Sequence, residues 1–277
     1  MKLIPRQHSA GVTLDEVLCI LVFVGIPILM LAWMLLPRMG GSRKSGRIKC
    51  VNNLKQIGTA FHGFASDNGC FFPLQAEEGA YIRQPGETNA GPGAVVSTNA
   101  QAWQVFHALW NEVQTPKILL CPDDRSRIAF ARVVDFNGLA GTPGTMTTAS
   151  FGHPENQNRA TSYTPLALAG EDFPLQLLSA ERNINSASST NAAATMRPRP
   201  SGIRYTVASE SSAKTQYWIS GPGAKIHGLA GNLSFADGSV QQATATVLQQ
   251  ALLNAGAAYG WGTATAPGPG DAIFLMP

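Results

Sequence analysis

The longest apolar run of the chain comes first. Residues 17–36, VLCILVFVGIPILMLAWMLL, give 20 positions without a charge. A helix rising 1.5 Å per residue needs that length to cross about 30 Å of hydrocarbon. A removable secretory signal has a shorter apolar core and a small-residue cleavage site beyond it. Here PRMGGSRK follows, so the span is expected to stay. Pro27 lacks an N–H and crowds the preceding turn, which predicts a kink. Residues 42–66 then place Ile48, Val51, Leu54, Ile57, Phe61 and Phe64 at spacings of three or four, the mark of a one-faced helix. Pro37 and the Gly40-Gly41 pair loosen its junction with the span, and DNGCFFP (67–73) stops it.

Beyond this point the pattern shortens. QAWQVFHALWNEV (101–113) sets Trp103, Phe106 and Trp110 on one helical face, read as a core stripe. KILLCPDD (117–124) predicts a short buried strand meeting a turn, and RIAFARVVDF (127–136) another strand. Residues 137–162 are turn-rich and barely apolar. FPLQLLSAERNI (173–184), RYTVASE, QYWIS and NLSFADGSVQQATA read as strands. In the last of these, Asp237-Gly238 between alternating segments predicts a hairpin, with His227 reaching toward the Asp237 side as a hydrogen-bonding staple. VLQQALLNAG (247–256) predicts a closing helix with Gly256 as its C′ residue. Residues 84–100 and 185–202 are read as loops. The fold class expected is α+β.

Composition narrows the function. Charged residues make up 13% and the net charge is +3, too small a surplus to point to nucleic acid. The basic residues cluster at 38–49, and by the positive-inside rule alone they place the large domain in the cytoplasm. His62, His107, His153 and His227 have no metal-ligand spacing, and no nucleophile elbow or phosphate loop occurs, so no enzyme constellation is found. The doublets Glu77-Glu78, Asp123-Asp124 and Glu171-Asp172 read as solvated or capping carboxylates. Loop carboxylates of this kind are compatible with calcium. Zinc is not expected, because Cys121 in CPDD has neither a second C-x-x-C nor a spaced His pair. Among Cys50, Cys70 and Cys121, both Cys50–Cys121 and Cys70–Cys121 stay open as disulfides.

One feature remains unexplained by pattern: Asp15 and Glu16 stand at the start of the span, although a central membrane carboxylate costs on the order of 3 kcal/mol. Gly11-Val12-Thr13-Leu14-Asp15-Glu16, with a short basic leader before it and the apolar run after it, resembles the class III signal of type IV pilins and type II secretion pseudopilins. The usual first mature residue is Phe, and Asp15 stands where an apolar residue is usual. RIKCVNNLKQIGTAFHGFASDNGCFFP (47–73), with Cys50, Asn52 and Asn53, resembles the Cys-x-Asn-Asn-Leu-Lys-Gln helix and Asn-Gly-x-Phe-Pro turn of a large bacterial pseudopilin-like family. Cys121-Pro122-Asp123-Asp124 resembles its Cys-Pro-x-Asp element. His227, nine residues, then Asp237-Gly238 resembles its C-terminal signature.

The resemblance implies a leader at 1–11, a transmembrane helix at 12–37 and an extracytoplasmic domain at 38–277. The fold it implies is pilin-like, a long helix, transmembrane then amphipathic, packed on an antiparallel sheet. A prepilin peptidase would cut between Gly11 and Val12 and methylate Val12. Glu16 would pair with the new amine of a neighbouring subunit, offsetting the burial of both charges in lipid. The partners implied are that peptidase, other pseudopilin subunits and inner-membrane lipid, with the domain in the periplasm or on the cell surface. The expected role is structural, in type II secretion or a pilus-like fibre, without catalysis or cofactor. A membrane-tethered module binding polysaccharide or calcium is the alternative.

Overall fold

A computed structural model describes residues 13–35, 41–76, 100–137, 144–186, 203–219, 226–262 and 271–277. The chain divides into two compact units, Met1–Ser42 and Arg43–Pro277.

In the first unit the apolar run forms helix α1 (Leu14–Ile20), a π-helical turn (Leu21–Gly25) and helix α2 (Ile26–Leu35). The π turn sits just ahead of Pro27, with the Ile26 N–H bonded to Leu21 O. Widening the turn there accommodates a residue that cannot donate and whose ring crowds the carbonyl four positions back. Leu14–Leu31 is long and apolar enough to cross a membrane, and none of it is buried within the chain. The junction at 36–40 lies outside the described residues.

The second unit is α+β. Helix α3 (Gly41–Asp67) buries Cys50, Leu54, Ile57, Phe61 and Phe64, a seam stepping by four, three, four and three. Ile48, expected on that face, is 57% exposed. Repeated steps of three residues fall 60° short of a full turn each time, so Ile48 lies about 120° around the helix from Leu54. The aromatic stripe at 101–113 is split by Leu109 into α4 (Ala102–Ala108) and α5 (Trp110–Val113), with Phe106 fully buried and both tryptophans packed against the core.

Four antiparallel strands form the main sheet in the order β1 (Tyr163–Pro165), β2 (Leu177–Glu181), β6 (Gly231–Phe235) and β7 (Val240–Ala243). Two further pairs join β3 (Ile184–Ser186) to β5 (Gln216–Trp218), and β4 (Ile203–Val207) to β8 (Ala272–Met276). Pattern reading leaves β8 unassigned. Helix α6 (Glu210–Lys214) precedes β5, and α7 (Ala245–Tyr259) follows the hairpin. Gly256, expected as the C′ residue, lies inside α7 under the Trp261 ring, and Gly260 at φ 81° ends the helix. The β6–β7 hairpin turns at Asp237-Gly238 as predicted, Gly238 having φ 80°. Its tip rests on α3, where a β-carbon at Gly58 would lie 3.9 Å from Gly238 Cα.

Two expected strands are not strands. Pro116–Leu119 and Arg125–Arg132 are 3₁₀-helical. Pro116, with its fixed φ, starts the first of them. In the second, Arg127 is buried while Ile128 is 68% exposed, the reverse of what a strand of that composition would do. The loops expected at 84–100 and 185–202 fall almost wholly outside the described residues.

Candidate functional site

The cysteines decide between the two open pairings: Cys50 of α3 is bonded to Cys121, 71 residues on, and Cys70 is an exposed free thiol. Asn53, nearly one helical turn beyond Cys50, donates from Nδ2 to Leu120 O at 3.0 Å, a second tie between the same two segments. Asn52 is exposed.

His227 stands beside the disulfide. Its side chain is 2% exposed, with Nδ1 3.1 Å from Asp123 Oδ2 and Nε2 3.1 Å from Glu181 Oε1. Nε2 is also 3.6 Å from Cys121 Sγ. Arg47 of α3 donates to His227 O at 3.0 Å, and Asn232 of β6 donates from Nδ2 to Glu181 Oε1 at 2.6 Å. Glu181, at the end of β2, is fully buried, and its Oε2 has no hydrogen-bond partner among the described residues. Burial, then the nearby Glu181 charge, pushes the Tyr163 phenol well above its ordinary range. The Asp123 carboxylate lies so close to α3 at Gly46 that any β-carbon there would collide with it. One short stretch of helix, Gly46 to Asn53, therefore meets the CPDD turn through a disulfide, an amide and a close backbone approach.

The expected staple between His227 and Asp237 is not formed. The histidine is taken by Asp123 and Glu181, while Asp237 Oδ1 accepts from Ser239 N at 2.8 Å within its own turn. Asp237 and Gly238 shape the hairpin tip, and Gly238 sits 3.6 Å, measured from a would-be β-carbon, from His62 Nε2. His62 Nδ1 meets Glu171 Oε1 at 2.9 Å, so Glu171 is paired rather than merely solvated.

Asp124 overturns the reading of its doublet as solvated. It is 2% exposed, and Arg182 grips it with Nε to Oδ2 and Nη2 to Oδ1, both 2.8 Å. Ser126 and Ser162 hydroxyls donate to the remaining lone pairs at 2.6 and 2.9 Å. Burial raises the Asp124 pKa, but the Arg182 hydrogen bond and charge, joined by Arg127, bring it below its ordinary 3.8. Arg127, fully buried, donates to Asn158 O at 2.6 Å and Pro277 O at 2.9 Å. Burial, then repulsion from Arg182, pushes its pKa well down. Adjacent carboxylates thus do different work, Asp123 on the histidine at the rim and Asp124 on the arginines inside.

Of the remaining candidates, Gly11 and Val12 lie outside the described residues. Glu16 is exposed and closes the start of α1, its Oε2 accepting from Thr13 N and Thr13 Oγ1 at 3.0 Å each. Thr13 and Glu16 form a capping box, which the T-x-x-E spacing in the sequence spells out. The sequence reading missed Glu181, Arg182 and Arg127. The signal for the first two was a Glu-Arg pair just after the apolar Leu177-Leu178 segment, at the end of β2, a costly placement when buried unless both charges are met.

The contacts of the cluster run between α3, the CPDD turn, His227 and strands β2 and β6. They bind segments of the chain to each other. Comparison of the chain with protein-family models, curated proteins and solved structures finds no match in any of the three.

Proposed function

We propose that the protein is a pseudopilin-type structural subunit of a type II secretion or type IV pilus-like fibre. Prepilin peptidase cuts it between Gly11 and Val12 and methylates the Val12 amine. The span at Leu14–Leu31 anchors it by a single pass in a bacterial inner membrane, with the α+β domain outside and no catalysis of its own. The observation that carries this reading is the N-terminal helix: long and apolar enough to span, buried nowhere against its own chain, and starting with an exposed carboxylate. Such a surface needs lipid or neighbouring helices around it. A long helix, α3, on an antiparallel sheet also supports the pilin-like form of the fold.

The chemistry of assembly follows from Glu16. In the single chain its carboxylate is held by two Thr13 donors. In a fibre it exchanges neutral donors for the α-ammonium of an adjacent subunit, and a charge-assisted bond in lipid is the stronger one. The pairing sets register, because an unpaired charge at that depth stays costly. Helix packing supplies the rest of the cohesion.

Mass spectrometry of the N-terminus tests the processing step and is expected to find N-methyl-Val12. Residues upstream of Val12 retained in assembled material would sink the reading. Glu16→Ala is expected to leave the domain folded and the leader cleaved while removing the chain from filaments seen by electron microscopy.

A further inference from the structure

Cys50, Cys121, Glu181 and His227 each offer one ligand atom, and the four atoms lie within 4.8 Å of one another. In the oxidised chain the two sulfurs are bonded together and are not thiolates, so only the imidazole and the carboxylate are zinc ligands. We propose that reduction of the Cys50–Cys121 disulfide opens a four-donor zinc site, built from both thiolates, His227 Nε2 and Glu181 Oε1.

Two of the donor spacings already fit. A tetrahedral zinc with Zn–S near 2.3 Å and Zn–N or Zn–O near 2.0–2.1 Å sets S···N at about 3.6 Å and N···O at about 3.3 Å. The cluster has Cys121 Sγ to His227 Nε2 at 3.6 Å and His227 Nε2 to Glu181 Oε1 at 3.1 Å. The bonded sulfurs must part to about 3.8 Å, within a cluster whose four donor atoms all lie within 4.8 Å of one another.

The supporting groups are those a zinc site uses. Asp123 Oδ2, 3.1 Å from His227 Nδ1, accepts from that N–H and orients the ring so that Nε2 faces Glu181 and the metal position. Asn232 orients Glu181 through Oε1, and the buried Glu181 Oε2, without a hydrogen-bond partner among the described residues, is a charge a dication would offset. Cys50, Cys121 and Glu181 are each no more than 3% exposed. All four protein positions are filled, so the site closes as a structural one.

The steps balance. A dithiol reductant gives two electrons and two protons to the S–S bond and becomes a cyclic disulfide, leaving two cysteine thiols. Zinc then displaces both thiol protons, and the proton His227 Nε2 shares with Glu181, to solvent. One staple between α3 and the CPDD turn thereby has two exchangeable closures, a covalent bond when oxidised and a metal when reduced.

The test uses the full chain in detergent, reduced with a phosphine, which takes an oxygen from water and does not compete for zinc as a dithiol would. One zinc per chain is expected by elemental analysis after desalting, with none in the oxidised protein. Cobalt in place of zinc is expected to give the intense thiolate-to-metal absorption of a tetrahedral site. Reduction in EDTA should lower the melting temperature of the domain, and zinc should restore it. Asp123→Asn, which leaves the four donors in place, should weaken zinc about ten- to a hundredfold. Equal zinc in the oxidised and reduced chains, no thiolate band with cobalt, or unfolding on reduction despite saturating zinc would each overturn the proposal. So would unchanged binding after Cys50→Ser with Cys121→Ser.

Discussion

The two units of the chain place similar side chains in opposite ways. Along Leu14–Leu35, Phe23 is 76% exposed, Leu29 71% and Trp33 81%, whereas on α3 Phe61 is 2% exposed and Leu54 is fully buried. Both segments are helices. The difference is that α3 confines most of its apolar residues to one seam that is buried in the core, while the stretch 17–31 is apolar on every side and none of it is buried. A helix of the first kind belongs to the thermodynamics of folding, and one of the second to those of the solvent around it. Stability of the domain and attachment to a membrane should therefore be separable by mutation.

The largest effect is expected at Asp124. Asp124→Ala leaves Arg182 and Arg127 facing each other in the core, which should cost about 3–5 kcal/mol in urea unfolding of the domain. Membrane flotation should be unchanged. Acid should act on the same group: its folded pKa is lowered, so its contribution holds above the ordinary 3.8 and fades as pH falls through the folded value. His107 loses ground earlier. Burial lowers its pKa below 6.5, outweighing its bond to the Phe136 carbonyl, so its contribution holds above pH 6.5 and fades as pH falls toward the folded value. His107→Gln should flatten that first limb of the melting temperature against pH.

Next comes the disulfide. Cys50→Ser with Cys121→Ser, unfolded in the presence of a chelator, should lose roughly 4 kcal/mol, given a closed loop of 71 residues. The span supplies the converse case. Val24→Asp should reduce membrane insertion by about 3 kcal/mol while the domain melts as before. A shift in both readouts from either variant would break the separation. The smallest effect is expected at the hairpin tip, where Gly238→Ala forces a side chain into φ 80° and should cost about 1 kcal/mol.

Local pattern made some of this legible. The span, most of the α3 seam, the Asp237-Gly238 turn and the strands at 177–181 and 231–243 all declare themselves through periodicity or turn chemistry. Elements that depend on distant partners do not. Arg125–Arg132 looks like a strand until Arg127 is required to reach Asn158 and Pro277 carbonyls, which a 3₁₀ turn allows. Asp124 looks like a surface acid because its partner Arg182 is 58 residues away. The 137–162 stretch looks coreless, yet Asn156 and Asn158 are fully buried and bond the backbone around them, Asn156 Nδ2 to Ser150 O at 2.7 Å and Trp103 N to Asn158 Oδ1 at 3.0 Å. The site was half visible. Cys50, Asn53, Cys121, Asp123 and His227 were each singled out, and the structure brings them together. Glu181, which completes the cluster, belongs to no motif, and the Glu-Arg pair it makes with Arg182 marks a buried charge without saying which partner meets it.

The covalent link between Cys50 and Cys121 makes a ring of the polypeptide between them, and the chain from Met1 to Cys50 hangs from one end of it. A single protease cut anywhere from residue 51 to residue 120 therefore leaves the apolar N-terminal helix and the sheet attached to each other. On a gel the nicked protein would migrate as one species without reductant and fall into two pieces with it. Damage along that stretch does not by itself part the domain from the N-terminal helix.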